Sequence, residues 1–170
     1  MSTSPGRRLR ELLTAPEILV APGAYDGITV LDFTQGVAGP HATMLLALHG
    51  ATVIKIEPPE GDWGRALGEL KGDHCAHSVA FNRGKRSIAL DLKKAEGRAL
   101  LARLATRCDV FLENFRPGVV DRLDVGYEAV RASNPKVIYA SISAFGQRGP
   151  GRELPGSDTV AQAFSGMMVV

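Results

Sequence analysis

A chain of 170 residues that is 45% hydrophobic and 22% charged can bury one core, which excludes the disordered and fibrous classes. Its formal charge of +2 gives no sign of a nucleic-acid or membrane-surface partner, and no stretch reaches the roughly twenty apolar residues of a membrane span. Two cysteines, Cys75 and Cys108, are too few for a disulfide framework, and nothing near Arg7–Glu11 resembles a signal peptide, so the cytoplasm is the expected compartment.

Taken in chain order, Pro5–Leu13 reads as a helix and Ala21–Gly27 as a turn. Ile28–Phe33 (ITVLDF) is a β-branched apolar run that predicts a buried strand. The turn Thr34–Gly39 then leads into a helix over Pro40–His49, with Pro40 at a first-turn position and Gly50 just past the end. Ala51–Glu57 (ATVIKIE) predicts a second strand stopped by Pro58 and Pro59, completing a βαβ unit with parallel strands. Ser87–Leu92 predicts a third strand and Ala95–Arg107 an amphipathic helix with Leu100, Leu101 and Leu104 inward. Asp109–Glu113 and Lys136–Ser143 predict two more strands, separated by short helices at Arg116–Leu123 and Tyr127–Asn134. The alternation predicts an α/β fold, a Rossmann-like mostly parallel sheet flanked by helices.

Ligands of such sheets sit beyond the carboxyl ends of the strands. The loops Thr34–Gly39, Asp91–Lys94 and Glu113–Arg116 are therefore expected to face one crevice. Gly36 and Gly39 fit close ligand approach or simply a tight turn. Arg83–Arg98 holds six basic and two acidic residues, which fits either an anion site or a solvated face. Asp73, His74, Cys75 and His77 carry metal-type side chains, but a closed site needs four ligands and no second cluster accompanies them. His41 and His49 suit surface or capping roles, and Trp63 suits a loop anchor or a cover over the site mouth.

Five ordered segments carry a resemblance: Val30–Asp62, Phe81–Arg98 (FNRGKRSIALDLKKAEGR), Asp109–Glu128 (DVFLENFRPGVVDRLDVGYE), Asn134–Pro150 and Pro155–Gly166 (PGSDTVAQAFSG). Residues 27–170 resemble the N-terminal portion of family III coenzyme A-transferases, the family of formyl-CoA transferase, carnitine-type CoA-transferases and α-methylacyl-CoA racemase. Residues 1–26 read as an extension foreign to that family; within it and its junction, Arg7–Gly27 is similar to the opening of the isocitrate lyase and phosphoenolpyruvate mutase superfamily. A (β/α)₈ barrel of that type needs at least roughly 200 residues, so this second likeness supplies no function.

The resemblance implies coenzyme A as a substrate, with no permanently bound cofactor, an acyl-CoA and a carboxylic acid as partners, and a homodimer in the full-length family member. It places Val37 and Ala38 at the thioester end, and Leu90, Asp91 and Lys93, with Lys85 and Arg86, on the nucleotide and its phosphates. Asn114, Phe115, Arg116 and Arg122 complete the nucleotide side, and Pro58 stands near the adenine where family members often carry arginine. The residues also have structural readings: Asn114 as a cap, Phe115 as core, Arg122 paired with Asp121 or Asp124. The family's nucleophile is an aspartate expected beyond Val170, while Asp158 assists binding or geometry and is a weaker candidate for attack. Ser157 stands where the racemase branch has a histidine base, which points to the transferase branch. The two readings are thus a CoA-transferase and a non-catalytic CoA-binding module.

Overall fold

The computed structural model describes residues 23–169, so the helix expected over Pro5–Leu13 and most of the lyase-like segment lie outside the described residues. Among the described residues seven strands occur: β1 Thr29–Phe33, β2 Thr52–Glu57, β3 Leu70–Lys71, β4 His74–Cys75, β5 Arg86–Ala89, β6 Val110–Glu113 and β7 Ile138–Ser141. Five α-helices accompany them within the same described residues: α1 Ala38–Leu48, α2 Ala76–Asn82, α3 Ala95–Ala105, α4 Tyr127–Ser133 and α5 Asp158–Phe164. The main sheet has the order β5-β2-β1-β6-β7 with every pairing parallel, and β3 and β4 form a separate antiparallel pair.

Strand periodicity divides the core between the two faces of the sheet. Leu31, Phe33, Ile56 and Phe111 point to one face and pack with Leu101, Ala105, Val125 and Val130. Val30 and Val53 point to the other, where they meet Leu46 and Ala47 of α1. The same alternation turns Asp32, Lys55 and Glu57 toward the α1 side, although all three are at most 3% exposed. Buried charges on one face require partners there, and those partners build the site described below.

Several boundaries differ from the sequence expectations. α1 starts at Ala38, two residues before Pro40, because the first four N–H groups of a helix need no internal acceptor and proline is tolerated among them. β5 and β7 are shorter than Ser87–Leu92 and Lys136–Ser143. Each pairs on one side only, so each ends with its neighbour's ladder. Arg116–Leu123 is mostly loop with a 3-10 turn at Asp121–Leu123, since Gly118 adopts φ +81 and interrupts a helix. In α3 the buried stripe is Leu101 and Ala105 with Leu104 beside it, whereas Leu100, expected inward, is 38% exposed at its rim.

Candidate functional site

The strand order reverses direction between β1 and β6, which makes the gap beyond their carboxyl ends the natural ligand crevice. Asn114, just after β6, closes the base of this gap. Its side-chain amide accepts from the Gln35 N–H at 2.8 Å and donates to the Gln35 carbonyl at 2.7 Å. The Asn114 amide is thus spent within the protein, tying the loop after β1 to the end of β6, and Asn114 does not line the crevice itself. Phe115 combines two roles, packing on Phe33 at 4.6 Å between ring centroids while forming a wall of the crevice.

A crevice of about 290 Å³ opens above this base, lined by Phe33, Gln35, Pro58, Leu90, Asp91, Lys93 and Phe115 among others. Four residues expected on the nucleotide side, Leu90, Asp91, Lys93 and Phe115, therefore converge, and Pro58 joins them. The loop after β5 is held by its own backbone contacts: Lys93 N–H donates to Asp91 Oδ1 at 3.1 Å, and Arg98 donates to the carbonyls of Leu92 and Lys93 at 3.0 and 3.1 Å. A wider hollow of about 880 Å³ adjoins it across Gln35, Pro58, Pro59 and Glu60 and continues past Trp63, Arg65 and His74. Arg116 is exposed beside Asn114 in a small neighbouring pocket with Ser143 and Arg152, and Arg122 is exposed on the 3-10 turn. Neither Arg116 nor Arg122 makes an ion pair among the described residues.

The basic run Arg83–Arg98 does not form one patch. Arg86 begins β5, whose carboxyl end is Ala89, so it stands at the end of the strand opposite the crevice. Lys85 points inward with a side chain 2% exposed and donates to Asp32 Oδ2 at 2.8 Å, the Pro40 carbonyl at 2.8 Å and Asn82 Oδ1 at 3.0 Å. All three of its N–H groups are thereby engaged within the protein, which leaves none for a phosphate. Burial pulls this ammonium below the ordinary lysine value, with Asp32 opposing the shift. Asp158 opens α5, is exposed, and accepts from Gln162 at 2.6 Å. It lines none of the hollows around the crevice.

Val37 and Ala38 are exposed at the start of α1, where Val37 supplies no side-chain cap. The preceding turn is fixed from below. Gly36 has φ +76, and a Cβ there would run into the Trp63 ring. Gly39 is helical and presses on the Thr34 side chain. The two glycines thus serve turn and packing.

Beneath the turn lies a polar network that the motif reading missed. Lys55 pairs with Asp62 at 2.9 Å, and its ammonium also donates to the Thr34 carbonyl at 2.8 Å. Asp62 accepts the Gly36 N–H at 3.0 and 3.2 Å and the Gly64 N–H at 2.9 Å. Glu57 takes a two-point grip from Arg65 at 2.6 and 2.7 Å, together with Ser87 Oγ and the Asp62 N–H. Burial pushes the Glu57 carboxyl up, but these donors outweigh it and bring it down to about 2. The signal for this network was in Ile54–Glu57: a strand buried on both faces that alternates with Lys and Glu must pair them.

The side chains of the Asp73–His77 segment diverge. Cys75 is buried and caps α2, accepting the Ser78 N–H at 3.4 Å. His74 lies 3.4 Å from Arg65, and His77 lies 3.4 Å from the Gly36 carbonyl. Among the described residues no three metal-type side chains converge, and no helix is long and apolar enough to cross a membrane.

A family model described as CoA-transferase family III matches residues 25–170. The chain belongs to CoA-transferase family III. It is 47% identical over 148 residues to an acetyl-CoA:oxalate CoA-transferase of Acetobacter aceti, covering 86% of this chain and 38% of that protein. Against a human succinyl-CoA:glutarate CoA-transferase it is 42% identical over 145 residues, covering 84% and 33%. A CAIB/BAIF family protein from Brucella suis has a crystal structure that superposes with a TM-score of 0.82 at 40% identity, covering 87% of this chain and 40% of that one. The chain therefore spans well under half the length of the family III relatives it matches.

Proposed function

We propose that this chain is the coenzyme A-binding part of a transferase that moves coenzyme A from an acyl-CoA thioester to a carboxylic acid. The observation that carries the reading is the convergence of Leu90, Asp91, Lys93, Phe115 and Pro58 on one crevice at the strand-order reversal. In this reading the apolar walls Phe115, Leu90 and Pro58 receive the adenine. Lys93, with Arg116 and Arg122 at the rim, meets phosphate charge. The chain of pantetheine then runs toward Val37 and Ala38, where uncapped backbone N–H groups of α1 face the thioester end. Lys85 serves by holding Asp32. Asp158 stays outside the crevice, and the nucleophilic carboxylate is assigned outside residues 27–170, so this chain alone binds without turnover. On the same reading the enzyme works in the cytoplasm as a homodimer; the exposed apolar side chains of Ile138, Phe164 and Met167 support a surface covered in the assembly.

Calorimetric titration of the chain with coenzyme A tests this. Binding is expected, with an affinity loss of roughly tenfold to a hundredfold in the Lys93→Ala/Arg116→Ala double variant and no change in Arg86→Ala. Equal binding by the double variant overturns the assignment.

A further inference from the structure

We infer that Asp62 is a positioning residue that, through its ion pair with Lys55, sets the turn Thr34–Val37 against which the thioester end of the ligand lies. The inference rests on the coenzyme A reading above and assigns a task to a group outside the crevice walls. Two successive peptide groups of the turn, Thr34–Gln35 and Gln35–Gly36, are held from underneath at both their carbonyl and their N–H. The Thr34 carbonyl accepts from Lys55 Nζ at 2.8 Å, the Gln35 N–H and carbonyl are held by Asn114, and the Gly36 N–H is shared by both oxygens of Asp62. The Lys55 and Asp62 side chains are 1% and 2% exposed, so neither reaches a ligand. Their effect passes through the backbone they grip.

Two features make this a device for aiming the turn, in addition to packing it. The segment that supplies Asp62 also supplies Trp63, whose ring rests on Gly36, and Arg65, which locks to Glu57. The 3-10 turn Trp63–Ala66 is thereby pinned at three points to the carboxyl ends of β1 and β2. Hydrogen bonds to an ionised carboxylate are roughly twice as strong as neutral ones, so the grip on the Gly36 N–H is firm. The nucleotide walls Leu90, Lys93 and Phe115 make no hydrogen bond to Asp62 or Lys55, and Leu90 meets the clamp only through its N–H on the Glu57 carbonyl at 2.8 Å. Loss of Asp62 is therefore expected to reach one end of the ligand and spare the other.

The experiment compares two probes on the chain: acetyl-CoA, which spans the whole groove, and adenosine 3′,5′-bisphosphate, which fills only the nucleotide end. Asp62→Asn replaces one accepting oxygen with a donor that opposes the Gly36 N–H. The expected result is an acetyl-CoA affinity lowered about tenfold while bisphosphate affinity stays within about twofold of wild type. Equal losses for both probes, or none for either, overturn the inference while leaving the coenzyme A reading intact. Failure of the wild-type chain to bind either probe overturns both. If Asp62→Asn does not fold, Lys55→Met/Asp62→Leu removes both buried charges together, a change that cores tolerate better than a lone charge, and carries the same expectation. Amide exchange on the wild-type chain gives an independent reading: the Gly36 N–H is expected to exchange about a hundredfold more slowly than an open turn amide, and fast exchange there contradicts the clamp.

Discussion

Glu57 and Glu113 close the two strands that flank β1, and they titrate in opposite senses. Burial raises Glu57, yet Arg65, Ser87 and the Asp62 N–H bring it from 4.5 to about 2. Its contribution is therefore fully present above about pH 4.5 and is lost as pH falls toward about 2. Glu113 makes no ion pair among the described residues. Burial raises it above the ordinary carboxylate value, against hydrogen bonds from Ser141 and the Phe115 N–H, so its ionisation costs stability as pH rises. Urea unfolding across pH separates the two. Arg65→Met is expected to lose on the order of 3 kcal/mol at neutral pH, a deficit that shrinks in acid, because Glu57 is left as an uncompensated buried charge until it is protonated. Glu113→Gln keeps an acceptor for Phe115 and is expected to gain stability at neutral pH, with the gain fading in acid. An Arg65→Met deficit that does not depend on pH contradicts the Glu57 account. The pairing of these carboxylates was only half legible in the sequence: alternation of Lys55 and Glu57 within an apolar strand announces buried charge, but Asp62 and Arg65 come from a segment whose pattern announces only a loop.

The turn between β1 and α1 shows what elements of this fold can and cannot disclose in advance. Thr34–Gly39 was recognisable by its glycines, and the βαβ unit by its two apolar strands and its proline. The cause of the glycine at position 36 was not, because it depends on a tryptophan brought in from the segment after β2. A left-handed φ and an aromatic ring pressed against the α-carbon restrict this site twice over. Gly36→Ala is therefore expected to lower stability by roughly 1 to 2 kcal/mol from backbone strain alone, with a further cost from displacing Trp63. Thermal melting measures the sum, and an unchanged midpoint contradicts the packing described. The β3–β4 pair and α2 escaped the pattern for a different reason. Two-residue strands have no period to detect, and α2 is capped by a cysteine, a residue that gives no helix-start signal in sequence.

At the scale of the whole molecule, the parallel order of five strands followed from alternating strand and helix patterns, because a crossover through a helix leaves little other choice. The resemblance placed Leu90, Asp91, Lys93 and Phe115 on one ligand, and the fold brings them to one crevice. It also grouped Lys85 and Arg86 with them, which proximity in sequence cannot settle: successive residues at a strand's start point to opposite faces and lie at its far end. Beyond the sheet, Ile138, Phe164, Met167 and Met168 are 65%, 74%, 69% and 52% exposed, and Phe164 is held mainly edge-on to Phe145. So much uncovered apolar surface favours association. Gel filtration of the 170-residue chain is expected to show self-association that Phe164→Ser/Met167→Ser reduces; a monomer peak for the unaltered chain contradicts this.

The chain contains a single tryptophan, and it is the one that leans on Gly36. With Trp63 54% exposed as a residue at the joint between the buried clamp and the open hollow, all indole emission from this protein originates at one address. Colour and brightness there follow how wet the joint is, so the unlabelled molecule carries its own optical gauge of whether the turn is seated, readable at concentrations where neither calorimetry nor exchange could follow it.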